Sequence, residues 1–169
     1  MIRPIIRYGN PVLHKRAADV GEVTPKVQTL IADMIDTMYA APGIGLAAPQ
    51  VGVGLRIFVT DVSSGHDPDG LLVMINPEIV VRDGSQSQEE GCLSLPGFEA
   101  IVDRSKRAVV RGLNREGRPH EVEGVGLSAR VFQHEMDHLD GSLFVDRLRG
   151  IRRELILRRV KKMKRTGKW

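Results

Sequence analysis

An α+β fold is predicted for this chain from three observations. Helical periodicity occurs in separate segments near residues 24–41, 127–139 and from 145 onward. Strand-like runs lie between them, and helix and strand do not alternate regularly as they would around a parallel sheet.

The first helix is set by Thr24, an N-cap type, with Pro25 in the first turn. Val27, Leu30, Ile31, Met34, Ile35 and Met38 form its apolar face, and Pro42 and Gly43 end it. Residues Gly43 to Gln50 then read as a Gly-rich loop whose backbone can approach a ligand closely. Leu55 to Asp61 and Leu71 to Ile75 read as strands separated by a polar loop, Ser63 to Gly70. Ala108 to Leu113 and His120 to Gly124 read as a hairpin turning at Asn114-Arg115-Glu116-Gly117. A helix is expected from about Leu127 to Leu139, and another from about Val145 towards the C-terminus. At about 100° per residue the Leu127–Leu139 helix is apolar over a wide face, so it is predicted to be buried.

A length of 169 residues predicts one domain, 1–169, with enough chain to bury a core without staples. The single cysteine excludes an internal disulfide and fits a reducing compartment. No apolar run suits a signal peptide or a membrane span, so a cytoplasmic protein that does not engage membranes is expected. Charge is uneven. Residues 147–169 hold 11 Lys/Arg and one acid, Glu154, a local net of +10 that leaves −6 for the rest of a chain whose total is +4. Leu148, Ile151 and Leu155 recur at helical spacing, so this basic segment is expected to begin as a helix packed on the body.

His134-Glu135-Met136-Asp137-His138 carries the most chemistry. Histidines four apart share a helix face and can hold one metal ion, and Glu135 lies beside them, in reach of a water but not a ligand. A third histidine in the metzincin manner is missing, because Phe144 occupies its position. Cys92, in Glu90-Gly91-Cys92-Leu93-Ser94, is the candidate third ligand. A thiolate with two imidazoles and one open position makes a catalytic metal site, and such a set suits zinc, iron, cobalt or nickel. Glu90 and Arg104 could pair to brace the cysteine segment. His14, His66 and His120 fall outside these motifs and read as surface or loop residues.

Taken together, Gly43 to Gln50 (GIGLAAPQ), Glu90 to Ser94 (EGCLS) and Gln133 to Gly141 (QHEMDHLDG) closely resemble the peptide deformylase family, as does the opening Pro4-Ile5-Ile6-Arg7-Tyr8-Gly9. The resemblance implies small mixed or antiparallel sheets packed around a central metal-bearing helix. It implies removal of the formyl group from N-formyl-methionine on new chains, with release of formate. Cys92, His134 and His138 become the metal ligands, with Fe2+ expected natively and Zn2+, Ni2+ or Co2+ possible in isolated protein. Glu135 becomes the acid–base; the Gln50 amide and the Leu93 N–H become donors to the developing oxyanion. Gly43, Ile44, Gly45 and Gly91 resemble the family's strand-like grip on substrate, and Leu127 and Val131 suit the pocket for the methionine side chain. Arg130 is less expected so near that pocket and is placed at its rim. A deformylase must also meet chains as they leave the ribosome, so the basic segment is expected to dock near the exit region, without sequence-specific nucleic-acid recognition. The rivals are another metallopeptidase and an RNA-binding module with a structural metal. The first lacks a well-placed third ligand, because Glu154 lies in the basic segment. The second needs a fourth ligand that the sequence does not offer.

Overall fold

In the computed structural model, which describes residues 1–169, α1 spans Pro25–Ala40. The Thr24 hydroxyl accepts a hydrogen bond from the Val27 N–H at 3.3 Å, and Pro25 occupies the first turn, where its missing N–H costs nothing. Val27, Leu30, Ile31, Met34 and Met38 are buried, with Ile35 packed beside them. Their partners are Leu46, Ile57, Val59, Val73 and Ile75 on strands β1 (Gly45–Ala47), β2 (Ile57–Thr60) and β3 (Leu72–Asp83).

Those strands open a five-stranded antiparallel sheet, which β6 (Arg107–Leu113) and β7 (Pro119–Val125) complete in the order β1-β2-β3-β6-β7. β4 (Gln86–Gly91) and β5 (Glu99–Arg104) form a separate antiparallel hairpin. One face of the five-stranded sheet receives α2, Leu127–Leu139, over the length the sequence predicts. Phe132, Met136 and Leu139 of α2 pack on Phe58, Met74 and Val110. Gly124 lets the helix come this close: a Cβ there would lie 2.6 Å from the Phe132 ring and 2.9 Å from the Ala129 nitrogen. The far end of α2 is tied by buried Arg56, which donates to the Leu139 carbonyl at 2.8 Å and to Asp140 Oδ1 at 2.9 Å.

Three sequence expectations need correction, and one hairpin was not predicted. Gly43 to Gln50 is not a plain loop. Gly45–Ala47 pairs as β1, and Ala48–Val51 turns as a 3₁₀ helix. β3 does not end at Ile75: Asn76, with φ of 51°, bulges the strand, and its side chain pairs with the Val20 N–H (2.7 Å) and C=O (2.9 Å). β4 and β5 went unread because Gln86 to Gly91 is polar and almost wholly outward-facing, so it carries no alternation. The last helix does not start at Val145. Phe144–Arg147 is a 3₁₀ turn, Leu148 is extended, and Gly150 at φ 67° resets the chain before α3, Ile151–Arg165.

α3 also packs by a different face from the one expected. Ile151 and Leu155 are 68% and 56% exposed, while Val160 is buried and Ile156, Leu157 and Met163 pack around it. Trp169 closes this cluster, donating from Nε1 to the Tyr8 carbonyl at 2.9 Å. No helix is long and apolar enough to cross a membrane.

Candidate active site

The centre is assembled where α2 crosses the ends of β1 and β4. One helical turn sets His134 and His138 on the same face, with their Nε2 atoms 3.2 Å apart. The turn after β4 brings Cys92 Sγ to 3.3 Å from His138 Nε2, and the three ligand atoms all lie within 4.8 Å of one another. Ligands of a tetrahedral ion bound at roughly 2.0–2.3 Å stand about 3.3–3.8 Å apart, so the closest separations fit one divalent cation held by Cys92, His134 and His138. Three ligands leave one position for water or substrate, the arrangement of a catalytic site and not of a closed structural one.

A cleft of about 720 Å³ opens onto this centre. Its lining includes Gly43, Ile44, Gly45, Gln50, Gly91, Cys92, Leu93, Leu127, Val131, His134 and Glu135, so the structure gathers the predicted residues in one place. His138 lies behind them, fully buried. Val131 is buried in the wall, whereas Leu127, 52% exposed, stands at the mouth. Arg130 is not on the rim. It lines the cleft from a buried position, donating to Glu90 Oε2 at 2.8 Å and to the Val102 carbonyl at 2.9 Å. His14 and His66 are exposed, as expected, while His120 is half-buried on β7.

Glu135 is buried, and its Oε2 has no hydrogen-bond partner within the protein. Burial, with help from the nearby Glu90 and Asp137 charges, pushes its carboxyl up to about 7 against the pull of His134 and Arg104. Glu90 behaves oppositely. Burial would raise it, but His134 and Arg104 outweigh that and hold it at about 2, so it is a fixed anion. It bonds His134 Nδ1, which leaves Nε2 of that ring to face the cation.

The Gln50 amide has its orientation set by its neighbours. Its Oε1 accepts from the Ala47 N–H at 3.0 Å, so Nε2 is turned towards Ser94 Oγ (3.1 Å) and Cys92 Sγ (3.6 Å). The Leu93 N–H is committed to no partner in the chain. Sequence reasoning missed the roles of Ser94, Asp137 and Arg147, because each meets its partner only through the fold. Glu90 and Arg104 do pair, at 2.6 Å, fully buried.

The model of the family described as polypeptide deformylase matches residues 2–154. Among curated relatives, peptide deformylase of Acidobacterium capsulatum is 48% identical over 169 residues, covering 100% of this chain and 99% of the relative. Peptide deformylase of Lachnoclostridium phytofermentans is 53% identical over 149 residues, covering 88% and 90%. The crystal structure of a peptide deformylase from Legionella pneumophila superposes with a TM-score of 0.91 at 45% identity, covering 99% of this chain and 98% of the other. With the three-ligand centre, the cleft above it and these likenesses all spanning the same residues, the chain belongs to the polypeptide deformylase family.

Proposed function

We propose that Glu135, Gln50 and Leu93 carry out, in this chain, the hydrolysis that defines the family. The reaction is metal-dependent removal of the N-formyl group from formyl-methionyl peptides. A divalent cation bound by Cys92, His134 and His138 supplies a Lewis acid, which lowers the pKa of water and polarises the formyl carbonyl. Glu135 takes a proton from the attacking water, and the oxygen adds to the formyl carbon. The Gln50 amide and the Leu93 N–H donate to the carbonyl oxygen as it gains charge. Glu135 then returns the proton to the nitrogen as the C–N bond breaks, releasing the free amine and formic acid, which ionises to formate in water. The observation that carries this is the unpartnered Glu135 Oε2, buried in the wall of the cleft beside the three ligand atoms.

The peptide itself is read as an added strand. β1 is the edge of its sheet and β4 pairs only with β5, so the backbones of Ile44, Gly45 and Gly91 leave a slot between two free strand edges. Gly43 keeps that slot open, since a Cβ there would meet Leu93 Cδ1 at 2.8 Å. The methionine side chain then lies against Val131, with Leu127 closing the mouth.

Ferrous iron is the native metal in this reading, since a thiolate with two imidazoles accepts iron as well as zinc, cobalt or nickel. Residues 1–169 act as one catalytic unit in a bacterial cytoplasm, a reading supported by the bacterial sources of the relatives named above. The basic segment 147–169 serves ribosome docking. Support comes from the charge of α3, whose Arg158, Lys161, Lys162 and Arg165 are all exposed.

The deciding experiment is formate release from a formyl-Met tripeptide by protein prepared without oxygen and loaded with iron or nickel. Release that stops on adding a chelator is expected. Fully loaded protein that releases none would overturn the roles given to these residues.

A further inference from the structure

Asp137 lies between the two histidine ligands in sequence but turns away from the cleft, and no step above uses it. It is buried and holds two arginines. Arg104 Nη1 donates to its Oδ2 at 2.6 Å, and Arg147 donates from Nε to Oδ2 and from Nη2 to Oδ1, both at 2.6 Å. Arg104 is shared. Its other edge grips Glu90, Nη2 to Oε1 at 2.6 Å and Nε to Oε2 at 3.1 Å, and Glu90 in turn holds His134 Nδ1. Hydrogen bonds therefore run from His134 through the alternating charges of Glu90, Arg104, Asp137 and Arg147. Only the last emerges, its side chain 44% exposed just before α3, against 1–10% for Glu90, Arg104 and Asp137.

Asp137 and Glu90 thus share the Arg104 guanidinium; Glu90 has Arg130 as its second partner, at 2.8 Å, and Asp137 has Arg147. With Arg147 in place, Asp137 is satisfied on both oxygens, and Arg104 can keep two hydrogen bonds on Glu90. Without it, Asp137 Oδ1 has no partner, and an unsatisfied buried carboxylate draws Arg104 towards itself. Glu90, then held by Arg130 at Oε2 alone, is freed to shift at Oε1, the oxygen that fixes the His134 ring, whose orientation and basicity set how well Nε2 binds a cation. We propose that Arg147 is a positioning residue for the divalent-metal site, acting on His134 through Asp137, Arg104 and Glu90. The proposal rests on the metal site formed by Cys92, His134 and His138.

The test is the affinity of the full chain for Zn2+ in competition with a chromophoric chelator, and the visible absorption of the Co2+-loaded protein, which reports ligand geometry. Arg147→Gln should raise the metal dissociation constant about tenfold or more and shift the cobalt bands. Arg147→Lys, which keeps charge but loses the fork, should fall between. Arg107→Gln, which breaks an exposed pair with Glu123, should match wild type in both readouts. In an Asp137→Asn background, Arg147→Gln should add little. Wild-type affinity and spectra in Arg147→Gln, an equal loss in Arg107→Gln, or full additivity with Asp137→Asn would each overturn the proposal. Should Arg147→Gln fail to fold, wild-type affinity in Arg147→Lys overturns it equally. A wild-type protein that binds no Zn2+ would instead remove the metal site on which the proposal depends.

Discussion

At the scale of single residues, the site turns on where a few side chains are denied room or partners. Gly45 is an example: a Cβ there would sit 2.5 Å from Glu135 Oε1 and 3.0 Å from Val131 Cγ1. The smallness of this residue therefore makes room for Glu135 and, in the proposed mechanism, for the peptide slot as well. Gly45→Ala should lower kcat by displacing Glu135 while the protein still binds its metal; steady-state kinetics with metal analysis will show whether it does. Glu135→Ala should also retain metal and lose about 10²–10⁴ in rate, the usual contribution of a positioned acid–base. Metal-replete Glu135→Ala with near wild-type turnover would remove Glu135 from the mechanism. The two histidine ligands and Glu135 were legible in the sequence because a helix turn fixes their spacing, and Cys92 because it is the single cysteine, set in a motif that resembles the family's. Arg130 was misplaced at the rim because the sequence gives its angle on α2 but not the buried Glu90 that neutralises it.

Elements position these residues through close packing. α2 can carry two ligands because its other side is locked to the sheet by Phe132, Met136 and Leu139 and tied at its end by Arg56. Gly124→Val would force β7 and α2 apart, since the Cβ would fall on the Phe132 ring and the Ala129 backbone. Overpacking of this kind costs about 1–3 kcal/mol, readable as a shift in chemical denaturation. The limits of α1 and α2 could be read from Thr24, Pro25 and a sustained apolar face, signals that lie within each segment. β4 and β5 could not, because β4 is a polar strand with one buried side chain, Glu90, and the buried face of β5 is short and includes a charged residue, Arg104, whose burial depends on its partners Glu90 and Asp137.

For the whole molecule, the charge asymmetry of the sequence is realised as a basic helix anchored beside the catalytic body. Burial of Val160 and the docking of Trp169 make truncation of this segment a poor test, since it would strip part of the core. Reversing exposed charges avoids that. Lys161→Glu with Lys162→Glu and Arg165→Glu should weaken ribosome binding and flatten its dependence on salt, while hydrolysis of a short formyl peptide stays unchanged. Sedimentation with ribosomes at two salt concentrations is sufficient; unchanged binding at low salt would end the docking reading.

By itself the sequence determined the family, the ligand set and the main helices. The helices and the histidine pair rest on local signals, capping at Thr24 and the four-residue separation of His134 and His138, whereas the family and Cys92 as third ligand rest on the resemblance of three short motifs. Only the tertiary structure decided what surrounds them. It placed Cys92 against His138, turned the Gln50 amide towards Ser94, exposed Ile151 and Leu155 while burying Val160, and joined Arg147 to His134 through buried carboxylates. These contacts join residues far apart along the chain, and burial makes them strong by removing competing water.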